Sequence, residues 1–482
     1  MAWLTLNTLA VKVVTVLGQI ALAWLLMPED FGLIGLAYTV TAFTGIVRGN
    51  TITNVLIARS ARFDLWSNPG FWMSVASGLL AACTIVLLSP VAAWAYDSNR
   101  LHGLLYVLAG AALFEALLSV PVARLRASLR FKLIAVCQTS IDTFKMVLTV
   151  ALAALGFGTY SFVIPALAGA ILLFVIYWSL ARPKIKWHPE FRRWRWLLSD
   201  TLALVGMQFF IVILWQGGYI MLGLFHEAAE VGLYFFAFRL SLQTLMLFSD
   251  NLTKVLFASL STLQDDPARQ TKAYLNSVRL IGPLAAGVCI LQAVVADPLI
   301  SLIFDDRWQG AIPILQILSV GMAIRVVAFP TGSFIQSQRR FWTVMWLQGG
   351  SAFNYLVFCG LAAWLSGPLG VAVAAMLHFM IVAPVYVCVA IFPNGYGMMD
   401  VVKLYFPAVT LGLVSAACGF GTNALLMQLG LHHPLWHILL PIVTCGLGCL
   451  AVMQYVMPNE RQRLYGMLRR APGARYILRA HA

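Results

Sequence analysis

Long apolar runs separated by short polar breaks occupy nearly the whole chain. They fall at about 3–26, 32–57, 71–95, 101–121, 133–155, 160–181, 198–222, 229–253, 278–297, 310–332, 342–364, 369–392, 401–427 and 434–457. Each run approaches or exceeds the roughly 20 residues that a helix needs to cross the hydrocarbon of a bilayer. The pattern therefore predicts an all-α, polytopic membrane protein of about 14 transmembrane helices.

The first twelve runs repeat. At a fixed offset of 200, residues 32–58 match 232–258 at Gly32/Gly232, Leu33/Leu233, Ala37/Ala237, Thr44/Thr244, Thr53/Thr253, Val55/Val255, Leu56/Leu256 and Ala58/Ala258. Chance gives roughly two or three identities in so apolar a stretch. Gly110, Ala111, Leu118, Ser119, Val120 and Ala123 match their partners at the same offset, and at 210 Arg130-Phe131 and Gln138 fall on Arg340-Phe341 and Gln348. Six helices per repeat is an even number, so the two lobes are predicted to be parallel, related by an axis along the membrane normal. The expected organisation is an N-lobe over 1–181, a basic linker over 182–197, a C-lobe over 198–392, a helix pair within 393–457 and a basic tail over 458–482.

Composition agrees with membrane residence. The chain is 61% hydrophobic and only 10% charged, with a mean hydropathy of +0.85, whereas a water-soluble domain is about one quarter charged. With the N-terminus inside, the inner segments collect most of the Lys and Arg residues. They include Arg59 and Arg62, Arg124 to Lys132, Arg182 to Arg195, Arg269 to Arg279, Arg339-Arg340, Lys403 and the tail, while the outer loops hold only Arg100 and Arg307. This asymmetry is the positive-inside rule and places both termini in the cytoplasm. It accounts for most of the net charge of +14 without nucleic acid as a partner. The first run lacks a basic leader and is too long for a signal core, so it reads as a retained helix. The eight cysteines all fall within apolar runs, as packing residues with no disulfide frame or metal site.

Several polar segments read as structural. The linker from Arg182 to Trp196 is basic and aromatic, which suits a joint lying on an anionic inner leaflet. Pro28-Glu29-Asp30 and Ala228-Ala229-Glu230 put acids in the first turns of corresponding helices, where they favour a helix start. Asp297 to Trp308 is expected as an interfacial half-helix on the outer side, and Thr262 to Lys272 as a solvated inner connection.

Six basic side chains remain within or at the ends of runs: Lys12, Arg48, Lys145, Arg239, Lys254 and Arg325. An unpaired cation at the centre of a membrane helix costs about 3 kcal/mol on insertion scales, so it persists where it faces water or an acid. In the first run Thr5, Thr8, Lys12, Thr15 and Gln19 recur at helical spacing as one polar stripe. Its repeat partner carries Gln208, Trp215, Gln216 and Tyr219, the second run Tyr38, Thr41, Thr44, Arg48 and Thr51, and the eighth Arg239, Gln243 and Asp250. Such stripes serve either as helix–helix glue or as cavity walls; the lysine favours a cavity. Lys12, Arg48 and Arg239 have no acid three or four residues away on their own helices, so they are candidates to bind phosphate or pyrophosphate. Asp142 lies three residues before Lys145, which points to an internal pair, and Lys254 and Arg325 can snorkel. Glu115 reads as a lone buried acid. Asp142, Lys145 and Glu115 are candidates for ion coupling or for internal pairing.

Enzymatic motifs are missing. The sequence contains no GxxxxGK[ST], HExxH or GxSxG. His432, His433 and His437 have no Cys or acidic companions, so an interfacial cap is favoured over a metal site. No cofactor is implied. A membrane glycosyltransferase or polymerase would need larger outer loops than these.

Leu25-Leu-Met-Pro-Glu-Asp-Phe-Gly-Leu33, Tyr234-Phe-Phe-Ala-Phe-Arg-Leu240 and Lys254-Val-Leu-Phe-Ala-Ser-Leu-Ser-Thr-Leu-Gln264 resemble the polysaccharide and O-antigen flippases. These form the polysaccharide transporter branch of the multidrug/oligosaccharidyl-lipid/polysaccharide exporter superfamily. The resemblance covers nearly the whole chain and implies a two-lobed fold of twelve to fourteen helices in a bacterial inner membrane. It implies a cationic cavity, and movement of undecaprenyl-pyrophosphate-linked oligosaccharide between leaflets by alternating access. Basic residues on helices 1, 2 and 8 line the cavity in related lipid II flippases, and Lys12, Arg48 and Arg239 fall on those helices. Thr8, Thr15, Gln19, Gln208 and Trp215 would share the lining. Polymerase and export machinery are the partners to which such a step hands over. Relatives usually have a basic stretch before helix 1, which this chain lacks, so a truncated or misassigned start is expected. The rival readings are a multidrug or cation antiporter of the same superfamily, which would want an acidic cavity, and a membrane glycosyltransferase or polymerase.

Overall fold

Among the described residues of the computed structural model, the body of every apolar run lies on helix and there is no strand. The structure describes residues 2–48, 50–58, 63–183, 185–261, 263, 265–431 and 433–455. The side chains of 2–13, 47, 48, 50, 51, 54, 58, 192, 193, 195–204, 247–255, 257, 258 and 261 lie outside the described residues, as does the predicted tail 458–482.

The first run is α1 (Ala2–Leu25), and the second is α2 (Pro28–Arg48) with α3 (Asn50–Ala58). Then follow α4 (Phe63–Ala95), α5 (Arg100–Leu117), α6 (Ser119–Ala127), α7 (Phe131–Ala154) and α8 (Tyr160–Ala181). The remainder is α9 (Phe191–Phe225), α10 (Ala228–Ser261), α11 (Pro267–Ile303), α12 (Ala311–Ala328), α13 (Thr331–Ser337), α14 (Phe341–Ile391), α15 (Met398–Gln428) and α16 (Pro434–Tyr455). Among the described residues, ten helices are long and apolar enough to cross a membrane, and the protein is a multi-pass membrane protein. α14 holds two of the apolar runs. They meet at Gly367, whose φ of 59° and ψ of −145° break the helix before Pro368, a backbone conformation open essentially to glycine. The three runs outside those ten helices lie on α1, α2–α3 and α10, which carry Lys12, Arg48 and Arg239.

The chain forms two compact units, 1–235 and 236–482. In the first, α4 packs on α5, α7 on α8, α5 on α8, α1 on α7, and α2 on α4, α5 and α9. In the second, α11 packs against α12, α15 and α16, α12 against α14, and α15 against α16.

The sequence repeat reappears as duplicated backbone geometry. At offset 200 the turn into α2 has Leu26 N–H bonding Leu22 O at 2.9 Å and Asp30 N–H bonding Met27 O at 3.0 Å. The turn into α10 repeats both bonds, His226 to Leu222 at 2.8 Å and Glu230 to Glu227 at 3.1 Å. At offset 210 the exits of α6 and α13 are the same helix stop. Leu129 N–H bonds Arg126 O and Arg130 N–H bonds Leu125 O, both at 3.0 Å; Arg339 and Arg340 repeat this to Gln336 and Ile335 at 2.9 and 3.3 Å. This is a Schellman motif, which calls for a left-handed residue just past the helix. Leu129 (φ 55°) and Arg339 (φ 59°) occupy that position although neither is glycine.

Three expectations for the polar segments are modified. The linker does not simply lie on a leaflet: Asn68 of α4 clamps it to the first unit, donating from Nδ2 to His188 O and accepting from Lys186 N–H, both at 2.9 Å. Trp72 Nε1 donates to Lys186 O at 3.0 Å. Ile185 and Trp194 pack on the core of Ile52, Val55, Leu56, Met73, Val120 and Ala123, so apolar linker side chains extend the core. The segment from Asp297 to Trp308 is no interfacial half-helix. α11 continues to Ile303, and a short 3-10 turn, Asp306–Trp308, drives Trp308 into full burial against Phe236 at 4.3 Å. An apolar ring of that size outweighs the charges around it. The inner connection is largely the start of α11, capped by Asp266 accepting from Arg269 N–H at 3.0 Å, with Gln270 and Thr271 buried.

Candidate functional site

The predicted cation-bearing helices are in place, and the first unit also shows how two of them meet. Gly32 in α2 and Gly232 in α10 face one another. A Cβ added to Gly32 would lie 1.7 Å from Ala228 O, and one added to Gly232 would lie 1.8 Å from Pro28 O. The most visible identity of the repeat is thus a near-symmetric backbone-on-backbone crossing, which only residues without a side chain permit. The acids beside it are structural, as their place in first turns predicts. Asp30 accepts from Met27 N–H at 3.1 Å and from Thr159 Oγ1 at 2.9 Å. Glu29 meets Arg100 at 3.3 Å, and Glu230 meets His226 at 2.6 Å.

The predicted lining residues separate into three groups. Lys12 and Thr8 on α1 and Arg48 at the end of α2 have side chains outside the described residues. Thr15 and Gln19 on α1 and Trp215 on α9 are half-buried, while Gln208 on α9 and, in the second unit, Arg239 on α10 are exposed. These are placements that a cavity wall permits. Other members of the stripes do not face open space. Thr41 and Thr44 are buried, and their hydroxyls donate back to Tyr38 O at 3.2 Å and Thr41 O at 2.9 Å. Their polar groups are spent within α2. Tyr219 is core, packed on Tyr234 at 5.7 Å and Phe235 at 5.3 Å. Thr39, which the stripes omitted, donates to Gln216 Oε1 at 3.3 Å and ties α2 to α9.

Asp142 and Lys145 form the ion pair that their spacing implies, at 2.7 Å. Gln138 Nε2 donates to both Asp142 oxygens at 3.2 and 3.3 Å. The lysine stem lies over Gly169 of α8, where a Cβ would come within 2.6 Å of it. Replacing Asp142 with Ala leaves the ammonium uncompensated and is expected to cost about 1–3 kcal/mol. The joint change Asp142→Leu with Lys145→Met should recover most of that loss; thermal unfolding in detergent is the measurement. Glu115 is not buried. It is exposed and shares a cleft of about 210 Å³ with Thr53, Arg126, Gln138 and Tyr177.

Arg325 does not snorkel either. Its guanidinium stands 4.5 Å over the buried Phe379 ring, an attraction that needs no water. On the neighbouring turn of α14, buried His378 bonds Ser351 Oγ at 3.1 Å and Asn354 Oδ1 at 2.9 Å. Sequence reasoning missed this network because its members are spread over 27 residues of one broken helix. Among the described residues no group of three or more His, Cys, Asp or Glu is placed to hold a metal ion.

The comparisons with known proteins bear on the same helices. The sequence profile of the polysaccharide biosynthesis protein family matches residues 21–313, from α1 into α12. The chain belongs to this family. Its relatives include the teichuronic acid biosynthesis protein TuaB of Bacillus subtilis, 22% identical over 443 residues, covering 88% of this chain and 89% of TuaB. The lipopolysaccharide biosynthesis protein WzxC of Escherichia coli is 22% identical over 411 residues, 80% of each chain. In fold, this family member is similar to the lipid II flippase MurJ in an inward closed conformation. The TM-score is 0.76 at 12% identity, with 95% of this chain and all of MurJ covered. An inward-facing multidrug transporter of the MATE family follows at a TM-score of 0.59 and 16% identity, covering 82% of this chain and 95% of that one. The chain thus has the fold of a membrane transporter.

Proposed function

We propose that the protein is a flippase that carries lipid-linked oligosaccharide, joined to undecaprenyl pyrophosphate, from the inner to the outer leaflet of a bacterial inner membrane. The observation that carries this reading is the combination of family membership with cations on three helices of a transporter fold, Lys12 on α1, Arg48 on α2 and Arg239 on α10. A pyrophosphate esterified at both ends is a compact dianion, and Lys and Arg offset its dehydration by charge-assisted hydrogen bonds. Thr8, Thr15, Gln19, Gln208 and Trp215 supply hydroxyl, amide and ring contacts suited to sugars, and the polyprenyl tail stays in lipid. Fourteen crossings, with both termini inside, follow from the apolar runs and the positive-inside bias. Parallel lobes over 1–181 and 198–392, with 401–457 as an added helix pair, would rock to exchange the open side. Asp142 and Lys145 serve as an internal pair in this reading. The surface polymer made with such precursors would be an exopolysaccharide, capsule or O-antigen, with a polymerase receiving the exported unit.

Deleting the gene is expected to remove that polymer from the cell surface and to accumulate its lipid-linked precursor in the cytoplasmic leaflet. Extraction of the lipid fraction with analysis of surface glycan measures both. Unchanged polymer with no precursor build-up, in a cell holding no second flippase, contradicts the proposal.

A further inference from the structure

The second unit has a polar cavity that the transport reading leaves unused. It measures about 380 Å³ and is lined by Asp265, Gln270, Ser337, Gln338, Arg339, Arg340 and Asn394, where the start of α11 meets the α13–α14 turn. Gln270 is 1% exposed. Its Nε2 donates to Leu260 O at 2.8 Å and to Ser337 Oγ at 3.2 Å, but its Oε1 accepts from no protein group. Arg340 NH1 lies 3.4 Å from Gln338 Oε1, which orients that amide, and Gln338 Nε2 donates to no protein group. Both residues line this cavity, and each carries one buried polar atom without a protein partner, an acceptor on Gln270 and a donor on Gln338, a need that a small turn of either amide toward a bound molecule would meet. Arg339 is exposed at the rim, held there by a left-handed backbone, φ 59°, that disfavours any side chain.

The duplicated turn provides an internal comparison. At the equivalent position of the first unit the left-handed residue is Leu129, apolar and 75% exposed. The turn geometry is therefore a common scaffold, and an arginine at its left-handed position is particular to the second. The rim also lies among exposed aromatics, with Phe341, Trp342 and Phe392 at 48%, 72% and 43% exposure. Rings of this kind mark the level of lipid headgroups.

We propose that this cavity binds a glycerol phosphodiester. Arg339 and Gln338 would take the phosphate oxygens, and Gln270 and Asp265 would accept hydrogen bonds from glycerol hydroxyls. A phosphatidylglycerol headgroup and a soluble phosphodiester share this chemistry, and the site is independent of the cargo carried.

The test uses the full-length protein in detergent. Short-chain phosphatidylglycerol, short-chain phosphatidylcholine and deacylated glycerophosphoglycerol are titrated separately, and retention is read by native mass spectrometry. Wild type is expected to hold phosphatidylglycerol at least tenfold more tightly than phosphatidylcholine. Arg339→Gly, which relieves the left-handed strain while removing the charge, should lose that preference; Leu129→Gly, with the same backbone relief, should keep it. Arg339→Asn, compatible with the left-handed backbone, repeats the test should the glycine variant misfold. Binding of glycerophosphoglycerol as tight as that of the lipid would assign a soluble ligand, and weaker binding the lipid, both within the proposal. Equal affinity of wild type for the two lipids, or a preference unchanged in both Arg339 variants, would overturn it.

Discussion

Replacing Lys12, Arg48 and Arg239 together with alanine is expected to abolish export of the polysaccharide precursor while leaving the protein inserted at normal levels. Each cation lost from a desolvated phosphate contact removes about 1.5–3 kcal/mol, a tenfold to hundredfold effect singly. The three together should exceed a thousandfold if they act on one anion. Removing a charge from a membrane helix lowers its insertion cost, so the variant should not fail by misfolding. Substitution by lysine at Arg48 and Arg239 should recover part of the activity, since charge is kept and the planar fork lost. Surface polymer, scored against protein in the membrane fraction, is the measurement. Full export by the triple variant would reject these residues as the anion site.

The second large effect is expected at the glycine crossing. In an ordinary helix interior, Gly→Ala stabilises by about 0.5–1 kcal/mol. Here the sign should reverse, because the new methyl on Gly32 would sit 1.7 Å from Ala228 O and that on Gly232 1.8 Å from Pro28 O. The obstacles are backbone carbonyls, which cannot rotate away as a side chain can, so the helices must part. In the alternating-access reading, this crossing of α2 with the first turn of α10 closes the outer side. Gly32→Val and Gly232→Val should each lower transport at least tenfold, and the double variant should be little worse than either. Additive losses, or wild-type transport in Gly32→Val, would show that the close approach is not used.

Both predictions begin from features legible in the sequence, and the residues show why some features are legible and others are not. Gly32 and Gly232 stand out because a backbone contact leaves only one residue type available, so the repeat preserves it. Arg130-Phe131 and Arg340-Phe341 mark a duplicated helix stop, which is local in sequence and fixed by four or five residues. The Asp142–Lys145 pair is one helical turn, and spacing alone predicts it. Legibility ends where the partner is distant in sequence or is the backbone itself. Thr41 and Thr44 look like a wet stripe, yet their hydroxyls bond their own helix. Asn68 appears unremarkable until the linker returns 118 residues later to meet it. Trp308 sits among Asp305, Asp306 and Arg307 and reads as interfacial, but its ring is buried against Phe236. Arg325 carries a charge that suggests snorkelling, and Phe379, 54 residues on, provides another resting place. Periodicity reports which face of a helix is polar; it does not report what that face touches.

The central claim is transfer of an anionic lipid-linked saccharide across the bilayer, and reconstitution tests it most directly. Purified protein is placed in vesicles whose inner leaflet carries fluorescent undecaprenyl-pyrophosphate oligosaccharide, and arrival of the sugar outside is followed by an impermeant lectin or glycosidase. Wild-type protein should expose the sugar many times faster than empty vesicles, and the Lys12→Ala/Arg48→Ala/Arg239→Ala variant should match the empty ones. Equal exposure with and without wild-type protein, alongside export of a cationic dye by the same vesicles, would contradict the account.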